Sequence, residues 1–444
     1  MMTYQPSEET MTAARRIMER CDQLAGISAM KDDAGQVTGI LRAYLTPEHA
    51  EHNALAAAWM TEAGLSTWQD AAGNQCGRLE GAREGLPALL LASHLDTVPD
   101  AGRYDGILGV LLAIEVARRV SQDQVAGGGL PFALEVAAYA DEEGTRFGTT
   151  LLGSWAMAGR WQDQWWEQAD AEGVTLREAF RRFGLDPERI GEAARRPEEL
   201  VGYLEAHIEQ GPYLEAAERP LGVVTSIAGA RRFMISVIGE ARHAGGTPYE
   251  RRRDALIGAS QAVLDIERIA RDQGAIATVG QLEAHPGAVN VVPGRADFSL
   301  DLRAEEDSVR DRAWETILAA VEEFCASRGL QVQVEEIHSA PTVRCDERLR
   351  EAVVAGIGTT GDADPVHLCS RAGHDAMAMA AVAPFAMLFT RCEDGISHHP
   401  AENVTLEDVA YALDAFEAAV RRTVEAHRAA AAETGAETDA EGSL

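Results

Sequence analysis

The chain has 444 residues, 46% hydrophobic and 25% charged; the apolar content is ample for burial and the length exceeds one core, so two domains are expected. Seventy-one acidic residues against 40 basic give a net charge of −31, which argues for solubility and against nucleic acid or anionic membranes as partners. Lys31 is the single lysine; this removes the lysine-dependent phosphate loop and leaves Schiff-base chemistry only a residue in the turn-like KDDAG.

Cys21, Cys76, Cys325, Cys345, Cys369 and Cys392 include no CxxC pair, so neither a thiolate zinc site nor a redox motif is indicated. The start, MMTYQPSEET, is polar and acidic, unlike a signal peptide. The apolar stretches carry charges or are too short to span a bilayer. A cytoplasmic protein with reduced thiols is expected.

In chain order, apolar residues recurring at three and four predict helices over 7–30 and 47–64, the second ended by Gly64. His49 and His52 lie on the second at i, i+3; no third ligand is nearby, so a solvated helix face is expected. Leu86 to Ala92 is a short apolar run, read as a buried strand cut off by Ser93-His94-Leu95-Asp96. His94 then sits beyond a strand's carboxyl end, where open α/β sheets bind ligands. Asp96 is expected to accept the second imidazole N–H and fix its tautomer. Asp105 follows in a glycine-flanked turn, before a helix over Gly106–Val120.

Phe132 to Ala140 is the next buried strand and ends in Asp141-Glu142-Glu143-Gly144. Carboxylates in such a row repel unless cations or protons compensate. Residues 151–200 have helical spacing, with Trp155, Trp161, Trp165 and Trp166 read as packing residues. Tyr203 to Ile208 is a third strand, leading into HIEQGP. The texture changes near Arg219-Pro220. Strands Phe233–Gly239, Ala277–Glu283, Ala296–Leu302 and Gln331–Ile337, with helices Arg253–Asp272 and Glu305–Arg328, form a split βαβ pattern. This is an inserted domain over 219–337, between catalytic-domain parts at 1–218 and 338–428. The second part holds a helix (Glu347–Ile357), a strand (Ala383–Phe389) and a helix from Thr405 to about Ala429. The acidic, low-complexity tail, 429–444, is expected to be disordered.

Four apolar strands thus end in potential ligands: His94 with Asp105, then Glu142 and Glu143, then His207, then His398. Three imidazoles with two carboxylates suit zinc or manganese. Five ligands are too many for one tetrahedral ion and right for two if a carboxylate bridges. Glu142, left free beside Glu143, stands where a general base belongs.

Seven motifs carry a family resemblance: SHLDTVPDAGRYDG, DEEGTRFGTTLLGS, HIEQGP, HAGGTP, GAVNVVPG followed by DLR, AGHDA, and GISHHPAE. From about residue 15 to 425 the sequence resembles the hydantoinase/carbamoylase branch of the dinuclear zinc-exopeptidase superfamily. That branch holds N-carbamoyl-L-amino acid hydrolase, β-ureidopropionase and allantoate amidohydrolase. HIEQGP discriminates best, because related peptidases usually have a carboxylate where His207 stands.

The resemblance implies an α/β fold: a zinc-exopeptidase-like catalytic domain, its mixed sheet flanked by helices, with an inserted ferredoxin-like α+β sandwich that acts as lid and dimerises. It implies two divalent ions, Zn²⁺ or Mn²⁺, with Asp105 bridging, His94 and His207 completing one site, and Glu143 and His398 the other. Glu142 would be the base and His243 would steady the oxyanion. Arg303 would hold the substrate carboxylate, with Asn290, Gln210 and Arg232 beside it. The implied reaction is cleavage of a linear ureido C–N bond in a small carboxylate, releasing ammonia and carbon dioxide. Allantoate and N-carbamoyl-L-amino acids lead as substrates, and Arg231-Arg232 resembles the allantoate subgroup. A dipeptidase or aminoacylase and a non-catalytic metal-binding homologue are the alternatives. His374 reads equally as functional or structural, and His285 and His399 as neighbours rather than ligands. Tyr249, Arg371 and Thr390-Arg391 depart from the family pattern; the two arginines fit an anionic substrate or acidic neighbours.

Overall fold

The computed structural model describes residues 4–124 and 129–441. The chain divides into two compact units. The first comprises Met1–Thr225, Cys345–Leu368 and His374–Leu444; the second comprises Ser226–Arg344 with Cys369–Gly373.

The strands are β1 (Ser66–Gln69), β2 (Gln75–Leu79), β3 (Ala88–His94), β4 (Ala133–Tyr139), β5 (Leu200–Ile208), β6 (Leu221–Ile227), β7 (Gly229–Ile238), β8 (Arg242–His243), β9 (Ile276–Thr278), β10 (Leu282–His285), β11 (Val291–Val292), β12 (Arg295–Ala304), β13 (Gln331–Ala340), β14 (Val343–Arg344), β15 (Val366–Ser370) and β16 (Phe385–Thr390). In the first unit the order runs β1-β2-β4-β3-β5-β16-β6. The central four, β4, β3, β5 and β16, are mutually parallel, and β2 and β6 flank them antiparallel. β3, β4 and β16 are buried at every residue, as mainly apolar parallel strands covered on both faces are; the one acid within β4, Glu135, is paired with Arg78 and Arg195. His94 pairs with Tyr139 and Phe389 with His207. The carboxyl ends of the parallel strands therefore line up along one edge.

Helices Glu8–Ala25, Pro47–Glu62, Ile107–Gln124, Glu347–Thr359 and Leu406–Glu441 belong to this unit. Two expectations fail here. His49 and His52 are buried, not solvated. His49 Nδ1 accepts the Leu45 N–H at 3.1 Å, and its Nε2 lies 3.1 Å from the Gly73 carbonyl. The helix also turns Trp59 and Met60 inward, so its polar-looking histidines complete the buried side. The tail, expected to be disordered, continues the last helix to Glu441; its alanines and glutamates are strong helix formers. Residues 442–444 lie outside the described residues.

In the second unit the antiparallel order is β10-β12-β7-β13, with β9 also on β12. Helices Ala255–Gln273 and Asp307–Ser327 pack on one face. Burial alternates along β7 and β12, so Phe233, Ile235, Val237, Phe298, Leu300 and Leu302 meet the helices. Phe233 stacks on Trp314 at 3.7 Å between ring centroids. The expected strand over Ala277–Glu283 is instead two, β9 and β10, because the chain breaks at Val279-Gly280-Gln281. There Ser299 turns its hydroxyl to the Gln281 N–H at 3.0 Å.

Candidate metal centre

β3 delivers His94, β4 runs into Asp141-Glu142-Glu143, β5 carries His207, and the loop after β16 carries His398. Asp105 sits in the turn before helix Ile107–Gln124 and faces all three imidazoles. Its Oδ1 lies 3.2 Å from His207 Nε2 and 3.8 Å from His94 Nε2. Its Oδ2 lies 3.1 Å from His398 Nε2, which is 3.4 Å from Glu143 Oε1. Four groups of three have ligand atoms within 4.8 Å of one another among the described residues: His94–Asp105–His207, Asp105–Glu143–His398, His94–Glu142–Glu143 and Glu205–His207–His374, and the first two are the triads built on Asp105. They share Asp105, one oxygen to each.

The protonation of the rings tests whether this cluster fits metal. His207 Nδ1 faces the Ile208 carbonyl at 2.9 Å and His94 Nδ1 the Asp96 carbonyl at 3.1 Å. A carbonyl only accepts, so each Nδ1 holds a proton, and a ring that gives up its second proton presents the Nε2 lone pair toward Asp105. His207 Nε2 is buried without a hydrogen-bond partner. A lone pair aimed at a carboxylate oxygen is repulsive unless a cation lies between, and imidazole with carboxylate is a donor set that divalent metals take. Gly106 leaves room for this arrangement: at φ +71°, a Cβ there would lie 2.3 Å from His94 Nε2.

Burial would lower His94 and His207, but the carboxylates facing them raise both above the ordinary imidazole value, so protons stand on these rings where a metal ion would displace them. Burial raises Glu142 well above the usual carboxylate range, with Glu143 and Asp375 adding to it against His94. Burial, then Asp105, lifts Glu143 to about 7. Burial would raise Asp105, but His207 and His398 hold it well below its ordinary value. Its hydrogen bond to Asp105 raises His398 to about 9. This is an enclosure of crowded carboxylates balanced by protons on the imidazoles, the places a divalent cation would take.

Residues 90–422 match the family model described as peptidase family M20/M25/M40. The chain belongs to that family. N-carbamoyl-L-amino acid amidohydrolase of Geobacillus stearothermophilus is 40% identical over 401 residues, covering 90% of this chain and 96% of that protein. Allantoate deiminase of Arabidopsis thaliana is 35% identical over 433 residues, covering 91% and 82%. A solved amidase of the hydantoinase/carbamoylase family from Burkholderia multivorans aligns with a TM-score of 0.82 at 34% identity, covering 92% of this chain and 97% of that one. The resemblance carried by the motifs is borne out.

Around the triads, this M20-family chain departs from one sequence expectation. The Asp96 carboxylate does not take the His94 N–H; its nearer oxygen is 3.6 Å away. It accepts instead the backbone N–H groups of Glu142 at 3.0 Å and Glu143 at 3.1 Å. The chain turns sharply after β4, with Asp141 at φ +60°, and those N–H groups lack strand partners. Gln210, expected at the substrate, donates its amide to Asp105 Oδ2 at 2.8 Å. Its Oε1 is buried and unpartnered. His374 is buried, its ring 4.5 Å from that of His207. Arg391 is held by Asp408 at 2.8 Å, which realises the acidic-neighbour reading. Ser397 and Glu402, both touching Asp105, escaped the sequence reading; the only signal was their place in GISHHPAE.

The second unit holds the remaining candidates. His243 and Asn290 sit together, because β8 pairs with β11 and the Ala244 N–H donates to the Asn290 carbonyl at 2.9 Å. His243 is exposed. Arg303 grips Asp301 with two nitrogens, at 2.7 and 3.1 Å, and donates to the Arg371 carbonyl at 2.7 Å. Arg232 reaches the same Asp301 at 2.7 Å. Arg231 is bound to Glu336 at 2.8 Å and lies over Phe233, so it serves the packing of its own unit. His285 pairs with Asp297 at 3.1 Å, and His399 accepts the Ala401 N–H.

Proposed function

We propose that this chain is a dinuclear metal-dependent amidohydrolase that cleaves the linear ureido C–N bond of allantoate or an N-carbamoyl-L-amino acid. The observation that carries this is Asp105 shared between two triads, with buried Glu142 beside them. The names of the relatives supply the substrate class, and no observation favours the dipeptidase or the non-catalytic alternative.

His94, Asp105 and His207 would hold one divalent ion, and Asp105, Glu143 and His398 the other. When bound, zinc or manganese would acidify water and polarise the scissile carbonyl. Glu142 takes the proton of the attacking water and passes it to the leaving nitrogen. Its raised affinity for protons suits it to hold one between those steps. Cleavage of a carbamoyl group yields carbamate, which breaks down to ammonia and carbon dioxide.

For substrate binding we assign Arg303 and Arg232 to the carboxylate, Asn290 and Gln210 to hydrogen bonding, and His243 to the oxyanion. The support is motif position and chemistry: a guanidinium matches a carboxylate with two parallel donors, and an exposed imidazole can donate. The inserted unit is proposed as the dimerising part. Tyr249, Ile257, Leu264, Ile276, Leu282, Val289, Val334 and Ile337 are exposed on it, and such apolar surface marks an interface. A cytoplasmic location is proposed on the free state of all six cysteines. No helix among the described residues is long and apolar enough to cross a membrane.

The test is ammonia release by Mn²⁺- or Zn²⁺-loaded protein offered allantoate, N-carbamoyl-L-amino acids, N-carbamoyl-β-alanine and a dipeptide, with an EDTA-treated control. Metal-dependent turnover of a ureido substrate is expected. Dipeptide cleavage, or no turnover with both ions bound, overturns the reading.

A further inference from the structure

Glu402 is buried four residues beyond His398, with only 3% of its surface exposed. Its Oε1 accepts two backbone N–H groups, from Tyr104 at 2.7 Å and from Asp105 at 3.1 Å. Its Oε2 lies 3.1 Å from the Ser397 hydroxyl, which is itself 2.7 Å from Asp105 Oδ2. Glu402 therefore reaches Asp105 from two directions, directly at the main chain and through Ser397 at the carboxylate. The fit leaves no slack: a Cβ on Gly102 would fall 2.3 Å from the Glu402 carboxyl carbon.

The same side chain bears on His398. That residue has φ +55°, a left-handed conformation that a histidine keeps only where its surroundings over-determine it. Ser397, immediately before it, is fixed by the contacts to Asp105 and Glu402. The segments 102–105 and 397–402 are far apart in the chain, and the whole second unit lies between them in sequence. Side-chain contacts join them: Ser397 and Gln210 reach the Asp105 carboxylate, and Glu402 alone among these takes the backbone N–H groups of Tyr104 and Asp105.

We propose that Glu402 is a positioning residue: by tying the backbone of Asp105 to the Ser397-His398 turn, it sets the alignment of the carboxylate shared by the two metal sites with the imidazole of the second. This rests on the dinuclear reading above. The role needs an acceptor at Oε1 more than it needs charge. In Glu402→Gln the carbonyl oxygen still takes both N–H groups. The new amide donates to the Ser397 oxygen, whose own proton stays directed at Asp105. In Glu402→Ala two buried N–H groups lose their acceptor, and the Ser397 hydroxyl, whose single proton faces both carboxylates, is left with Asp105 alone.

The experiment is a chelator-competition titration of Mn²⁺ and Zn²⁺ into apo wild type, Glu402→Ala, Glu402→Gln and Ser397→Ala, with kcat and KM measured on the loaded proteins. Circular dichroism of the apo forms checks folding. Glu402→Ala is expected to bind the second ion about 10–100-fold more weakly, the range for lost outer partners of metal ligands. Its kcat falls with KM little changed. Glu402→Gln recovers most of both losses, and Ser397→Ala lies between. If Glu402→Ala misfolds, the Gln and Ser397 variants still decide. Wild-type affinity in Glu402→Ala, no loss of second-ion affinity in Ser397→Ala, or a Gln variant as impaired as the Ala variant overturns the proposal. Wild type that takes up no divalent ion overturns the dinuclear reading first, and the positioning role with it.

Discussion

The Asp96 carboxylate spans the backbone N–H groups of Glu142 and Glu143, at 3.0 and 3.1 Å, while its main-chain carbonyl meets Nδ1 of His94 at 3.1 Å. One residue thus fixes the end of β3 to the turn after β4, and a proposed ligand to the proposed base. Asp96→Ala would orphan two buried donors and release that turn. We expect kcat/KM to fall about 10–100-fold with metal binding weakened in parallel. Steady-state kinetics and metal analysis check this; a variant with wild-type kinetics would remove Asp96 from the site.

Glu142→Gln separates catalysis from binding. The amide preserves shape but accepts no proton, so turnover should drop by roughly 10²–10⁴. Both ions should stay bound, because neither triad that contains Asp105 includes Glu142; its place beside His94 and Glu143 is what makes metal content a needed readout. The check is ammonia release beside metal content. Retained turnover would move the base elsewhere, and lost metal would make Glu142 a ligand.

The parallel core was legible because its strands are continuous apolar runs, and such runs signal burial on both faces. The candidate ligands were legible because the runs stop at or just before residues with metal chemistry. The short strands β1 and β2 went unread: β1, at the sheet edge, is exposed along its length and carries no periodic signal. His49 and His52 were misread because a buried neutral imidazole and a solvated one have the same letter. Only the neighbouring carbonyl of Gly73, brought in by the fold, distinguishes them. Asp96 was read to the right region but the wrong contact, since spacing cannot say which of its oxygens faces the ring. Glu402 was missed because its partners are nearly three hundred residues away in sequence.

Those histidines give a pH prediction. Burial holds His49 down to about 4 and His52 well below its ordinary value. Above pH ~6.5 the histidines are neutral folded or unfolded, so their contribution is fully present. As pH falls below that, the unfolded chain takes up protons that the folded chain refuses, and stability is lost down to about pH 4. For His49 the loss approaches about 3 kcal/mol at the lower end. Urea unfolding between pH 7 and 4.5 should show a smaller fall in His49→Gln than in wild type. Identical pH slopes would mean His49 is solvated after all.

Chelation should be visible in stability as well as in rate. Ligands that bind only the folded state stabilise it by mass action, about 2.7 kcal/mol at a hundredfold excess over Kd. Removing the cations also leaves Asp105, Glu142 and Glu143 confronting one another. EDTA-treated protein should therefore melt at lower temperature, with Mn²⁺ or Zn²⁺ restoring the transition. Melting curves unaffected by EDTA and by added metal would argue that the triads hold no ion.

Gly106→Ala offers the sharpest steric test. The residue sits at φ +71°, where an L side chain is strained. Its new Cβ would meet the His94 ring at 2.3–2.5 Å across three atoms. His94 is buried, with the tilted His207 ring 5.8 Å away, centroid to centroid, so any retreat carries it into packed neighbours. The ring must rotate away from Asp105 or the turn must open, and either displaces a ligand from the shared carboxylate. We expect loss of the first ion, turnover down by at least about tenfold, and a melting temperature lowered by several degrees. Isothermal titration of metal into the apo variant reads the first of these directly. Two ions bound at wild-type affinity would show that the turn yields without moving His94, and that its position is less constrained than the packing implies.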